Sequence, residues 1–189
     1  MRKHDKNTIR MYVLSYAGLL LMIVLLVVPS LVTLTFGETI RLEAYTFRPD
    51  FIDMGRDFPV RYDIETISFE VMDEDLVDVV FSLDHHAIRE TLDDENLHVT
   101  FKDEGGVSLI ESASLSRPDD DAYVLAEYMR IAYDAEETAF GIIVSYAFPD
   151  TYIRRPRDGD VIEAFRTGKV ICTFRIRNGR FVLTGMAPA

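Results

Sequence analysis

The stretch VICTFRIRNGRFVLT, residues 170–184, decides the reading of the fold. Asn178-Gly179 is the dipeptide preferred by a two-residue type I′ hairpin turn, in which both central residues need a positive φ. Folding back on it sets Arg177 against Arg180, Ile176 against Phe181 and Phe174 against Leu183. One face of the pair then collects Phe174, Ile176, Phe181 and Leu183, while the other collects the arginines, Thr173 and Thr184. That is the pattern of a half-buried antiparallel pair. The lone cysteine, Cys172, alternates onto the apolar face with Val170 and Phe174, so it reads as a small buried hydrophobe without an internal disulfide. Just upstream, residues 160–165 followed by Gly168 predict a short helix with glycine at its C-terminal end.

Working outward, the same alternation recurs. Ile40, Leu42 and Ala44 against Arg41, Glu43 and Tyr45 predict a strand over residues 38–47, ended by Arg48-Pro49-Asp50. A second strand starts near Phe58, with Val60, Tyr62 and Ile64 on one face and Arg61, Asp63 and Glu65 on the other; a loop containing Gly55 joins the two. Residues 73–94 read mostly as helix, on the spacing of Leu76, Val80, Leu83, Ala87 and Ile88. Leu97, Val99 and Phe101 alternate again, and Gly105-Gly106 predicts a hairpin into residues 107–115. After a polar break at 117–121, residues 123–133 and 138–148 are apolar, aromatic segments that read as strands. The fold class is α+β, mainly antiparallel β: one barrel-like or sandwich domain with one or two helices, behind an N-terminal transmembrane helix.

The formal net charge of the 189 residues is −12. Arg2, Lys3, Lys6 and Arg10 against Asp5 make the first ten residues +3, and residues 11–37 carry no charge, so the remainder carries −15, which is −12 less +3. About 20 apolar residues suffice to cross a bilayer core. The run over residues 11–36 is longer than that, and longer than the apolar core of roughly 7 to 15 residues in a cleaved secretory signal; residues 33–38 offer no Ala-x-Ala site. Basic residues precede the run and none follows until Arg41, which by the positive-inside rule keeps the N-terminus in the cytoplasm. The expected organisation is a basic cytoplasmic tail (1–10), a transmembrane anchor (11–36) and an extracytoplasmic domain (38–189). Pro29, inside the run, is expected to kink or end the helix. An acidic domain repels phosphate backbones, so nucleic acid is not an expected partner.

Residues 49–62, PDFIDMGRDFPVRY, resemble the family of membrane-anchored proteins named for the motif GDYXXLXY. Gly55 takes the place of the motif's glycine, Val60 of its leucine and Tyr62 of its last tyrosine, with Pro49 six residues before Gly55. The motif's Asp and first Tyr are replaced by Arg56 and Asp57. Residues 144–146 and 152–153 loosely resemble a later segment of the family, and residues 161–186 its closing helix and hairpin. The resemblance implies architecture and membrane location, and it supplies no catalytic residues. Physically, Gly55 is expected to adopt a positive φ or to permit close backbone approach, and Tyr62 to cover the sheet while its hydroxyl finds a partner. Pro49, Gly55, Val60 and Tyr62 are thus read as structural.

Catalytic sets are sparse. The serine that a membrane-anchored Ser-Lys peptidase needs shortly after its anchor is missing, since no serine occurs between Glu38 and Ile67, and Lys102 and Lys169 alternate onto polar faces. His85-His86 are adjacent, so on a helix they point about 100° apart and do not converge on a metal. His98 falls on a polar strand face. The acidic runs 93–95 and 119–121 lack the alternating spacing and glycine of a calcium loop. Arg154, Arg155 and Arg157 are the one basic cluster of the domain and a weak anion-site candidate. No cofactor or metal is expected. The expected function is an accessory or interaction domain that binds a membrane or envelope protein or its own copies; the alternative is an envelope hydrolase or small-ligand-binding protein using surface carboxylates.

Overall fold

The computed structural model describes residues 3–82, 96–133, 138–153 and 158–189, with side chains in the first helix described from Arg10 onward. That helix, α1 (Lys3–Phe36), does not end at Pro29. A proline removes a single helical N–H, and the final turns remain bonded: Thr33 Oγ1 donates to Pro29 O at 3.1 Å and Gly37 N–H to Thr33 O at 2.8 Å. The span Arg10–Phe36, 27 residues with a mean hydropathy of 2.7 in its most apolar window, is long and apolar enough to cross a membrane. Only 6% of that window is buried against the rest of the chain.

Only Gly37 separates α1 from β1 (Glu38–Tyr45). The expected alternation holds along β1, with Ile40, Leu42 and Ala44 buried. The segment expected as a loop begins with a short helix, α2 (Pro49–Asp53), because Pro49 at its first turn is already in helical φ and Ile52 finds a buried place. Gly55 follows with φ 69°, and its N–H donates to Ile52 O at 3.0 Å.

The second strand was expected to be continuous and is instead broken into β2 (Phe58–Pro59), β3 (Arg61–Tyr62) and β4 (Thr66–Ser68). The chain changes partner as it goes: β2 pairs with β9 (Thr151–Tyr152), β3 with β1, and β4 with β8 (Ala139–Tyr146). A turn at residues 63–65 makes the last switch, closed by Glu65 N–H to Tyr62 O at 3.2 Å. The predicted face survives the breaks, for Val60, Tyr62 and Ile64 are all buried. A 3₁₀ turn (Phe69–Val71) leads to α3 (Glu74–Ser82), whose start is capped by Asp73 Oδ1 accepting from Leu76 N–H at 2.9 Å. Leu76 and Val80 bury on the predicted helical face; the rest of the predicted helix, including Leu83, Ala87 and Ile88, lies outside the described residues.

β5 (Leu97–Glu104) and β6 (Val107–Ser114) form the Gly105-Gly106 hairpin, with φ 67° and 92° at the two glycines. β7 (Tyr123–Tyr133) and β8 follow as antiparallel neighbours. After α4 (Gly159–Thr167), β10 (Val170–Arg177) and β11 (Arg180–Pro188) form the closing hairpin in the predicted register, Arg177 opposite Arg180, Ile176 opposite Phe181 and Phe174 opposite Leu183. Asn178 and Gly179 take φ 51° and 73°, as a type I′ turn requires. A bulge beyond Phe174 sets Thr173 opposite Gly185 rather than Thr184. Gly168 closes α4 by donating its N–H to Ala164 O at 2.9 Å.

Two main sheets result, ordered β11-β10-β1-β3 and β4-β8-β7-β5-β6, with the small β2-β9 pair beside them. They share one core and do not close into a barrel; the arrangement is consistent with a sandwich. Cys172 and Val170 are fully buried in it, as the alternation predicts. It contains an aromatic cluster: Phe174 lies 4.7 Å from Phe148, 5.9 Å from Tyr62 and 6.1 Å from Phe181 between ring centroids.

Candidate functional site

Tyr62 is held at the seam between the two sheets. Its ring packs on Phe148 and Phe174, and its hydroxyl donates to Pro149 O at 2.9 Å. From the other sheet, Tyr146 donates its hydroxyl to Ile64 O at 3.1 Å. These two bonds tie the switching segment 58–66 to the β8 end. Burial pushes both phenols well above the ordinary tyrosine range, and burial pushes the Cys172 thiol up to about 12.

The sign of the pH effect follows. All three groups hold their protons more tightly folded than unfolded, so their contribution is intact below the unfolded values, near 9 for the thiol and 10 for the phenols, and is lost as pH rises through the folded ones. Each group removes at most about 1.4 kcal/mol per pH unit in its window. We expect the unfolding midpoint, followed by circular dichroism, to fall steadily above pH 9 and to be flat from pH 7 to 8.5 as far as these groups are concerned. Cys172→Ala should make the decline between pH 9 and 10 shallower. An equally steep decline in that variant would show that the thiol is not a source of it.

Beside Tyr62 the seam opens into a groove of about 620 Å³, lined by the end of β1, the segment 59–66 and residues of β7 and β8. Phe47 and Met129 line it while 50% and 57% exposed. Met129 owes its outward position to a bulge: Tyr128 pairs with Val144 and Arg130 with Ile143, so the extra residue lets Met129 and Arg130 both face solvent while Tyr128 stays buried.

The charges in the groove are mostly engaged. Arg61 lies 4.8 Å from the Phe47 ring centroid and 3.8 Å from Glu65 Oε2. Glu65 Oε1 also accepts from Tyr62 N–H at 3.3 Å. Lys169 donates to Asp63 and, at 2.5 Å, to Glu43. Asp150 accepts from Val60 N–H through its carbonyl at 2.7 Å and from the Thr151 hydroxyl through Oδ1 at 3.1 Å. Acid–base chemistry on these carboxylates would therefore have to displace Arg61 from Glu65 and Lys169 from Asp63. Arg130 has no ion-pair partner among the described residues.

Of the four motif residues, the structure brings Val60 and Tyr62 to the groove, while Pro49 and Gly55 shape α2 and its exit away from it. Arg154, Arg155 and Arg157, like His85, His86 and the acidic run 93–95, lie outside the described residues. In the other acidic run, Asp121 is paired with Arg117 and Arg177, and Asp120 accepts from Ala122 N–H at 3.0 Å. Among the described residues no three His, Cys, Asp or Glu side chains converge as a metal site. His98 is half-buried against the Tyr123 ring rather than solvated. Phe47, Met129 and Arg130 escaped the sequence reading; the one available signal was the break in alternation at Met129-Arg130. Comparison with protein-family models, with curated proteins and with solved structures finds no match.

Proposed function

We propose that this chain is a single-pass membrane protein, kept by its uncleaved helix with the N-terminus in the cytoplasm, whose domain acts outside the cytoplasm as a binding module for another membrane or envelope protein. The observation that carries the binding role is the groove, where exposed Phe47 and Met129 stand beside Arg61 and Arg130. Aromatic, methionine and arginine side chains are the ones enriched at protein interfaces, and a large apolar side chain left half in water gains most when a partner covers it. The anchor is supported by the apolar length of Arg10–Phe36 and its exposure, and the orientation by the four basic residues before it and none over residues 11–40. The left-handed Gly55 and the buried Tyr62 accord with the resemblance to the GDYXXLXY family, which remains part of this reading.

Crosslinking in intact membranes, followed by mass spectrometry, tests the binding role. A reproducible partner should be recovered with the native chain. Phe47→Ala combined with Met129→Ala should reduce its yield at least about tenfold, since interface anchors of this kind contribute roughly 2 kcal/mol or more each. The same double variant should shift unfolding by less than about 1 kcal/mol, both side chains being at the surface. Crosslinks between copies alone would replace the partner by self-association, and recovery of monomer alone would overturn the reading.

A further inference from the structure

We propose that the arginines around the exit of α1 bind the phosphate of an anionic phospholipid headgroup. The inference rests on the membrane anchor proposed above and adds a ligand at a second place in the molecule, away from the groove.

Arg175 and Arg177 are two apart on β10, so they share the face turned away from Phe174 and Ile176, and the hairpin register sets Arg180 directly opposite Arg177. Arg175 and Arg177 reach the end of the helix. Arg175 Nη1 donates to Gly37 O at 2.7 Å, and the Arg177 guanidinium lies 6.0 Å from the ring centroid of Phe36, the last residue of the apolar span. Arg117 reaches the same turn, donating to Asn178 Oδ1 at 2.6 Å.

Like charges facing each other across a pair of strands are destabilising unless an anion lies between them. Asp121 supplies one, accepting from Arg177 at 2.9 Å and from Arg117 at 3.4 Å. A single carboxylate thus serves two guanidinium groups, while Arg180 is exposed and has no ion-pair partner among the described residues. Arginine's planar fork matches phosphate oxygens.

Charge and position decide the ligand. Counting Glu38, Asp119 and Asp120 with Asp121, this collar is formally neutral, so the rest of the domain holds the whole excess of −15. A domain of that charge is repelled by anionic headgroups, and the neutral collar at the helix exit is where its arginine forks can meet one without that repulsion. Groups bonded to Gly37 and lying beside Phe36 are at the level where an apolar span gives way to headgroups. A zwitterionic headgroup would bring its own ammonium against these cations, so the favoured ligand is an anionic phosphodiester.

The test uses the full chain in detergent, titrated separately with phosphatidylglycerol, phosphatidylcholine and inorganic phosphate, with adducts read by native mass spectrometry. Phosphatidylglycerol should be retained well above phosphatidylcholine. Arg180→Gln should weaken that retention about fivefold, the effect of one arginine near an anionic surface, and Arg177→Gln with Arg180→Gln should weaken it further, while Lys102→Gln should leave it unchanged. Equal retention of the two lipids, no effect of Arg180→Gln, or equally effective displacement by millimolar inorganic phosphate would overturn the headgroup assignment. A parallel alkaline-carbonate extraction of reconstituted vesicles separates the two levels. Release of the chain would overturn the anchor and this site together, whereas retention with no lipid preference would overturn this site alone.

Discussion

Phe174→Ala should lower the unfolding midpoint of the domain by roughly 10 °C, the equivalent of about 3–5 kcal/mol for an aromatic side chain removed from a core of this size. Phe174 is fully buried and sits midway along β10, hydrogen-bonded into ladders with β1 on one side and β11 on the other. Its backbone therefore cannot shift inward to close the cavity, and the neighbours that would have to fill it, Tyr62, Phe148 and Phe181, are rings tied to three other segments. Tyr62 cannot lean in without losing the bond from its hydroxyl to Pro149 O. The chain has no tryptophan, so circular dichroism of the full protein in detergent is the suitable signal. A loss below about 1 kcal/mol would mean that the aromatic cluster repacks freely and does not hold the two sheets together.

The second large effect is expected at the junction. A Cβ on Gly37 would meet Thr33 O at 2.3 Å and Ile176 O at 2.8 Å, both backbone atoms that cannot rotate away. Relief requires levering the end of α1 off β10, which breaks the bond from Arg175 to Gly37 O and uncovers Thr33, now 2% exposed. Gly37→Ala should therefore cost about 1–3 kcal/mol as an overpacked site. More tellingly, hydrogen-exchange protection of the amide at position 37 should fall at least about tenfold relative to the native chain, the equivalent of 1.4 kcal/mol. Gly18→Ala, where a Cβ meets nothing within 4 Å, should change neither measurement. If the two variants behave alike, the helix is tethered to the domain rather than mounted on it.

What could be read from the sequence was what depends on neighbours along the chain. Asn178-Gly179 specified its own turn and with it the register of β10 and β11, and Ile40, Leu42 and Ala44 specified the buried face of β1. What could not be read depends on partners far away. Residues 58–68 keep a strand's alternation, yet they divide into three short strands because they pair in turn with β9, β1 and β8, and no local pattern announces a change of partner. The groove has the same character. Phe47 lies two residues past the end of β1, Met129 faces outward only through a bulge, and the two line one groove from positions more than eighty residues apart. The arginines of the helix exit were visible as alternating positions of the hairpin, but their nearness to Phe36 follows from the pairing of Glu38 with Ile176.

The central claim, a single anchor with the domain on the far side of the membrane, is tested most directly by protease added outside intact spheroplasts. Residues beyond Glu38 should be digested in the absence of detergent, the first ten residues should be spared until the membrane is opened, and the intact mass of the untreated protein should include residues 11–36. A domain protected until detergent is added, or a mature chain beginning after Thr33, would contradict it.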